Sequence, residues 1–197
     1  MLGYLVLTLS LAGGMSVEKC DLPSPVTGHT TLSPADAAAI AEFNAHVREY
    51  CLMREAIGMP SERIFSDPRD IQIVRKTLRD AIRERRPLAR QGDIFTDGAA
   101  AAIRHIVAAT AAANGLNLKH VKGALRADRL PGARPPEVNE TYDWRLGAWM
   151  WPALLLELPP LPEDVQYRIV DDDLVLIDIR ADLVLDILDD ALEADED

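Results

Sequence analysis

The sequence predicts an α+β fold: a small helical bundle of three to four helices, a proline-rich wrapped segment and a C-terminal β hairpin or meander. Apolar residues recur at helical spacing through residues 33–126, whereas prolines and large residues without periodicity occupy 127–162. Short apolar runs separated by acidic turns follow in 163–190. With 197 residues, 48% hydrophobic and 27% charged, we expect a single folded domain over 33–190.

The first helix is predicted to begin after Ser33. Serine is a favoured N-cap residue, Pro34 fits the first turn, and Asp36 stands where a carboxylate meets the free N–H groups. Apolar side chains at helical spacing then predict one buried face, formed by Ile40, Phe43, Val47 and Tyr50 or Cys51.

Three further helices are predicted before the composition changes. The second begins near Asp67 and runs to about Arg90, with Gly92 as its left-handed C-terminal residue. The third is rich in alanine and begins after Thr96, and a short fourth covers residues 117–126.

The segment over 127–162 contains seven prolines and little periodicity. We expect it to wrap over the helices and to be held by its large side chains. Those anchors are Tyr142, Trp144, Trp149 and Trp151.

The β module is predicted from two alternating runs, 165–170 and 174–179, joined by the acidic turn 171–173. The run 183–188 fits either a third strand or a helix. Its Val and Ile content favours the strand.

The N-terminus predicts export. Residues 1–15 are apolar and uncharged but too short to span a bilayer, and Ala12 and Gly14 fit the small positions of a signal-peptide cleavage site. No Lys or Arg precedes the apolar run, so a buried N-terminal strand is the alternative. Residues 16–32 read as a flexible lead-in. We therefore expect a periplasmic or extracellular protein without a stable membrane span after processing.

The two cysteines, Cys20 and Cys51, both survive such cleavage. In an oxidising compartment they can form one disulfide. Two unrelated thiols are the alternative.

The net charge of −11 argues against nucleic-acid partners, because phosphate repels a net anion. The charge is uneven: residues 160–197 hold 14 acids and two bases, a net of −12, whereas 1–159 hold 18 acids and 19 bases, a net of +1. The end of the chain, 191–197, is predicted to be a solvated acidic tail.

Five arginines follow one another at spacings of three or four along the second predicted helix. We call them the arginine rail: Arg75, Arg79, Arg83, Arg86 and Arg90. Three interpretations are open: a solvated face, an internal partner for the acidic C-terminus, or a binding site for a protein or an anionic envelope component.

One candidate metal face lies on the first helix, where Glu42, His46 and Glu49 share one side at spacings of four and three. The alternative is an ordinary solvated face, and no cofactor is expected. The acidic run 171–173 with Asp178 lacks the spacing of a calcium loop, so a solvated turn is favoured there.

Three stretches together resemble a family of uncharacterised exported bacterial proteins: residues 90–96, residues 154–163, and a third made of the runs 167–170, 174–178 and 183–186. The C-terminal hairpin alone is similar to the β module of periplasmic nickel/cobalt-homeostasis proteins, although its turn is rich in Asp where those modules carry glycine. The resemblance implies a secreted or periplasmic address, and it assigns no catalytic residue.

No nucleophile elbow, Ser-x-x-Lys box or Cys–His pair has a supporting sequence context, and no phosphate-binding glycine loop is present. The favoured function is therefore a non-enzymatic exported binding module, with no catalytic residue named. The alternatives are an envelope hydrolase whose site has no sequence signature and a metal-responsive periplasmic factor.

Overall fold

The computed structural model describes residues 20, 22, 30–58, 67–127, 134–148 and 150–193. This part of the chain contains five α-helices, one turn of 3-10 helix at Trp144–Leu146 and one three-stranded sheet. The elements are α1 (Pro34–Glu55), α2 (Pro68–Arg85), α3 (Asp97–Ala113), α4 (Leu118–Ala127), α5 (Pro152–Glu157), β1 (Val165–Val170), β2 (Asp173–Asp178) and β3 (Leu183–Leu188). The α+β prediction is confirmed.

The predicted signal peptide, residues 1–15, lies outside the described residues. So do most of the predicted lead-in over 16–32 and the last four residues of the predicted acidic tail. The tail prediction begins too early, because its first two residues, Ala191 and Leu192, are apolar and buried in the core. Within the described ranges, no helix is long and apolar enough to cross a membrane.

Helix α1 begins as its sequence predicts. Asp36 N donates to Ser33 Oγ at 3.1 Å, and Ser33 N donates back to Asp36 Oδ2 at 3.2 Å, which closes a capping box. The buried face includes Phe43, whose ring stacks on Phe95 with centroids 5.5 Å apart. The first helix therefore joins the core through its predicted stripe.

Helix α2 ends at Arg85, short of the predicted end near Arg90. Arg86 already has non-helical backbone angles, because the following Pro87 disfavours the α conformation in the residue before it. Gly92 does have a positive φ of 88°, but it lies in the loop before α3 and does not cap α2.

Helices α3 and α4 agree with their predicted positions. Thr96 is the N-cap of α3, and Asn114 follows its last residue. The many alanines of α3 let it approach α1 closely. A Cβ atom built on Gly98 of α3 would lie 3.5 Å from the Cβ atom of Ala39 in α1. Helix α4 coincides with the short helix predicted over 117–126.

The proline-rich segment carries more regular structure than expected. It contains the 3-10 turn and the short helix α5, which begins with Pro152 in its first turn. Tyr142 is buried against the sheet, and Trp151 packs partly buried on the main core. Two of the four predicted anchors therefore contact the folded body, and Trp149 and the side chain of Trp144 lie outside the described residues.

The sheet is an antiparallel meander in the order β1–β2–β3, and the strand interpretation of 183–188 is confirmed. Val170 pairs with Asp173, so β1 and β2 are joined by a two-residue turn with Asp171 at a φ of +58°. Asp tolerates this left-handed conformation better than most residues.

Both faces of the sheet are covered, which explains why its strands are apolar almost throughout. One face packs on the helices and forms the main core with residues such as Tyr167, Leu176 and Leu185. The other face forms a second cluster, made of Tyr142, Val170, Val175, Ile177, Val184 and Ile187.

A β-bulge in β3 changes the direction of its side chains. Leu176 pairs with Asp186, but the next residue, Ile177, pairs with Val184, so Leu185 is the extra residue. The bulge places the consecutive residues Leu185 and Asp186 on the helical side of the sheet. In a regular strand the side chains of consecutive residues point to opposite faces, so one of these two would lie on the other face of the sheet.

Candidate functional site

The arginine rail faces the β module. Arg79 Nη1 donates to the carbonyl oxygen of Ala181 at 2.8 Å, and Arg86 Nη2 donates to that of Leu185 at 3.3 Å. The Arg86 guanidinium also lies 5.5 Å from the ring centre of Tyr50, within cation–π range. These contacts join α2 and the residue after it to the turn before β3 and to β3 itself.

Two more rail residues contact the same region. Arg83 Nε donates to the carbonyl oxygen of Asn139 at 2.7 Å, and its Nη2 lies 2.9 Å from Glu140 Oε2. Arg75 Nη1 lies 3.3 Å from Asp182 Oδ1. Four of the five predicted rail residues are thus engaged inside the molecule.

Arg90 differs from the other four. Its side chain is 86% exposed, and its Nε lies 3.7 Å from Asp93 Oδ1. It follows the end of α2 and therefore does not share the helical face. The physical reason is the early end of α2 at Pro87, which breaks the spacing that predicted a five-residue rail.

The predicted metal face on α1 is open to solvent. His46 Nε2 lies 3.8 Å from Glu42 Oε1, and Glu49 is exposed. Within the described part of the chain, one set of three ligand atoms lies within 4.8 Å, and it is a different one: Asp172, Asp173 and Asp190. The ammonium group of Lys122 forms an ion pair with Asp172 there, so a lysine side chain already balances part of the negative charge of that cluster.

Cys20 and Cys51 form a disulfide with Cα atoms 5.7 Å apart. Cys51 lies in the last turns of α1, and both cysteines are buried. The bond attaches the segment before α1 to the core.

Asp178, at the end of β2, is a buried polar centre. It is fully buried, and its Oδ2 accepts from Tyr50 Oη at 2.8 Å and from Arg54 Nε at 2.6 Å. Its Oδ1 accepts from the backbone of Arg180 and Ala181, each at 2.9 Å. The four donors account for both carboxylate oxygens.

The charges around Asp178 shift the pKa values of its partners. Burial alone would lower the pKa of Arg54, but Asp178 and Asp164 outweigh it and raise that pKa. Burial, reinforced by Asp178, raises the pKa of Tyr50 well above its ordinary value of 10.0. The guanidinium therefore stays charged and the phenol stays neutral.

Asp186 is a second buried carboxylate. Its two oxygens accept from the backbone N–H groups of Gly92, Ile94, Phe95 and Ile187 at 2.7–2.9 Å. Burial raises its pKa, against the lowering effect of these hydrogen bonds. Asp186 thus anchors the loop before α3 to the sheet.

The prediction of a solvated turn over 171–173 with Asp178 is wrong for Asp178, which is fully buried because Tyr50 and Arg54 donate to it, and Asp186 was not named as a site from the sequence. A signal was present, since Asp178 and Asp186 each interrupt an apolar run, and a lone acid in such a run needs dedicated donors. The structure brings two of the resembling stretches together here, because the loop over 90–96 binds the strand over 183–186 through Asp186. Both residues hold the fold together.

An open cavity of about 440 Å³ lies between α3, α5 and the residues Thr30 and Thr31 before α1. His105 and Glu157 contribute its charged or titratable side chains. His105 Nδ1 lies 3.1 Å from Asp36 Oδ2, and Glu157 Oε2 accepts from Thr30 N at 3.0 Å.

A second cavity is an apolar groove of about 250 Å³ along β1. Its walls come from the segment between α5 and β1 and from the strand itself: Met150, Leu155, Pro159, Pro160, Leu161, Val165, Gln166, Tyr167 and Arg168. Arg168 is buried, and burial lowers its pKa. Its guanidinium donates to Tyr167 O at 3.0 Å and to Gln166 Oε1.

A third, polar cavity of about 270 Å³ adjoins the rail at Arg75 and Asp182. Asp143 and Arg145 line it as a bidentate pair with two contacts of 2.7 Å. Because these opposite charges already pair with each other, the cavity would attract a charged ligand only weakly.

The chain matches no protein-family model, no curated protein and no solved structure.

Proposed function

We propose that the protein is an exported binding module that docks an extended segment of a partner protein along the open part of β1. The observation that carries the proposal is the outer edge of this strand. Ala148 pairs with the edge at Ile169, and beyond that bridge the edge borders the apolar groove at Tyr167. A strand edge next to an apolar groove is the arrangement used in β-strand addition.

The direction of the backbone groups supports this reading. Ile169 exchanges two hydrogen bonds with Ala148, of 2.7 and 3.2 Å, so its N–H and C=O point away from β2. Groups alternate along a strand with a period of two. The N–H and C=O of Tyr167 therefore point to the same outer edge. The C=O accepts from Arg168 Nη1 at 3.0 Å, and the N–H is the group with which an added strand can pair.

The walls of the groove suit an apolar side chain. Pro159 and Pro160 have no N–H groups, so this wall offers no competing donors. Leu155 lines the groove and is 47% exposed. An added strand that buries one aliphatic side chain here gains about 1.5–3 kcal/mol from burial before its ordering cost.

Arg168 defines the second feature of the partner. Its guanidinium lies over the edge, on the oxygens of Tyr167 and Gln166. A carboxylate on the incoming segment can replace the neutral oxygen of Gln166 as the acceptor for this buried guanidinium, which then pairs two opposite charges. The preferred segment is therefore extended, with an aliphatic residue and an acidic residue on it.

Two observations support an exported address. The Cys20–Cys51 disulfide suits an oxidising compartment, where such bonds persist. The apolar N-terminal run has the length of a signal-peptide core. Mass spectrometry of the protein secreted by a bacterial host tests both, since export predicts a shortened N-terminus and a mass two hydrogens below that of the reduced chain.

A random-peptide display library selected on the folded protein tests the docking site. We expect enrichment of peptides with alternating aliphatic residues and at least one Asp or Glu. A synthetic peptide of the enriched sequence should shift the Tyr167 amide resonance in NMR spectra.

The chain offers a matched pair of variants on α5, because Leu155 lines the groove whereas Leu156 lines the larger cavity. Both leucines are exposed, so neither change to Arg threatens the core. Leu155→Arg should abolish binding of the selected peptide, and Leu156→Arg should preserve it. A library without enrichment, or equal loss in both variants, would overturn the proposal.

A further inference from the structure

The disulfide places Cys20 beside the start of β1. Cys20 is bonded to Cys51, with Cα atoms 5.7 Å apart. Cys51 lines a small cavity of about 20 Å³ together with Val165, the first residue of β1. Val165 also lines the apolar groove along the strand. The chain before Cys20 therefore starts at one end of that groove.

The five residues before Cys20 are long enough to reach the open part of the strand edge. Residues 15–19 span about 17 Å when extended, whereas Val165 and Tyr167 are only about 7 Å apart along the strand. A segment that runs back from Cys20 along β1 passes Val165 before Tyr167, so its chain direction is antiparallel to β1. Antiparallel pairing is the more stable arrangement, and a C=O of the segment can accept from the Tyr167 N–H.

The sequence of residues 15–19 has the pattern that the groove accepts. It reads Met-Ser-Val-Glu-Lys, with Met15 and Val17 two positions apart. Alternate residues of a strand share a face, so both can face the apolar groove while Glu18 lies on the opposite face. On β1 the opposite face is that of Arg168, because the residues before and after it belong to the main core. The segment thus has the aliphatic and acidic residues expected of a docked strand.

We infer that residues 15–19 dock along β1 as an added antiparallel strand, with Val17 in the apolar groove, and compete there with the partner segment. The inference rests on the proposed function and adds the regulation of the same site. A short tether gives an effective concentration of about 1 mM, so a segment with an intrinsic Kd of about 0.1 mM is docked roughly ten times as often as it is free. The apparent affinity for a partner is then about tenfold weaker than that of the open groove.

Hydrogen exchange of the oxidised full chain, followed by NMR, tests the docking. Val17→Asn and Ser16→Asn introduce the same side chain at neighbouring positions, and only the first removes the group that enters the groove. We expect the Tyr167 amide to exchange about tenfold faster in Val17→Asn and at the wild-type rate in Ser16→Asn. The amide of Ile169, which donates to Ala148 O at 3.2 Å, is the internal control and should not change. An unchanged rate at Tyr167 in Val17→Asn, or equal acceleration in both variants, would overturn the inference.

A synthetic peptide of residues 15–19, blocked at both ends, tests the competition. It should shift the Tyr167 amide resonance of Val17→Asn, and it should bind the wild-type chain about tenfold more weakly. The double variant Val17→Asn/Leu155→Arg should not respond, because the added cation lies in the groove.

The two proposals fail in different ways. A peptide library that is enriched on the protein, while the peptide of residues 15–19 does not bind Val17→Asn, overturns the inference and leaves the docking function intact. A peptide of residues 15–19 that binds as expected, without any enrichment of the library, supports the docking of this segment and contradicts the docking of a partner protein.

Discussion

Arg54 Nε lies 2.6 Å from Asp178 Oδ2 and ties the last turn of α1 to the end of β2. Arg54 Nη2 also contacts Asp164 Oδ2 at 2.7 Å, just before β1. One guanidinium thus joins a helix to two places in the β module. The side chain of Arg54 is 10% exposed and that of Asp178 is fully buried, so solvent screens their attraction little.

We expect Asp178→Ala to lower the free energy of unfolding by about 3–5 kcal/mol, because it leaves a buried guanidinium without its main counter-charge. Tyr50→Phe removes one neutral donor to the same carboxylate and should cost about 1–2 kcal/mol. Chemical denaturation of both variants measures the difference. If the two substitutions cost the same, Arg54 does not depend on Asp178 for its charge balance.

Asp186→Asn replaces an acceptor oxygen with an NH₂ group that faces backbone donors. Four backbone N–H groups donate to the Asp186 carboxylate, so at least one of them loses its acceptor in the variant. We expect a loss of about 2–4 kcal/mol. Hydrogen exchange should show faster exchange at Ile94 and Phe95, and unchanged protection there would argue against the anchoring role.

The arginine rail should contribute to stability at the residues that contact the sheet. We expect Arg79→Ala and Arg86→Ala each to cost about 1–2 kcal/mol, since each leaves a backbone carbonyl without its donor. Arg90→Ala is the matched control and should change stability by less than about 0.5 kcal/mol, because its side chain is exposed. A comparable loss at Arg90 would show that net charge, and not specific contacts, explains the effect.

Alkaline pH should destabilise the protein through its buried phenols. Burial raises the pKa of Tyr50 and of Tyr167 well above 10.0. A raised folded-state pKa means that the contribution is fully present below the unfolded value near 10 and is lost as the pH rises above it. Denaturation between about pH 9 and pH 11 should show falling stability, with a shallower fall in Tyr50→Phe. An equal slope in the variant would contradict this.

The helices could be predicted wherever the signal was local. Ser33 and Asp36 form the predicted capping box because both partners lie within three residues. The end of α2 was placed too late because the positive φ of Gly92 is used by a loop rather than by a helix end. Helix α5 was missed because two prolines follow closely and the segment is only six residues long.

The partners of the arginine rail could not be predicted for a different reason. The spacing of Arg79, Arg83 and Arg86 identifies a cationic surface, but two of their acceptors are carbonyl oxygens of Ala181 and Leu185. Every residue has such an oxygen, so the sequence does not mark which one is used. The acidic composition of the C-terminal part of the chain indicated which region the arginines contact, but it did not indicate which atoms accept their hydrogen bonds.

The candidate cavities were invisible in the sequence for a related reason. The larger cavity exists because Ala109, Ala113 and Ala153 are small and meet across two helices. In sequence these residues read as ordinary helix formers. The contact between His105 and Asp36 spans 69 positions, beyond any local pattern.

The distance along the chain between the partners of each buried carboxylate has a consequence for biosynthesis. Arg54 and Asp178 are separated by 124 residues, and Ile94 and Asp186 by 92. A ribosome releases α1, α2 and α3 well before the residues that complete their contacts. The hydrogen bonds to these two buried carboxylates can therefore form only late in synthesis, after Asp178 and Asp186 have emerged.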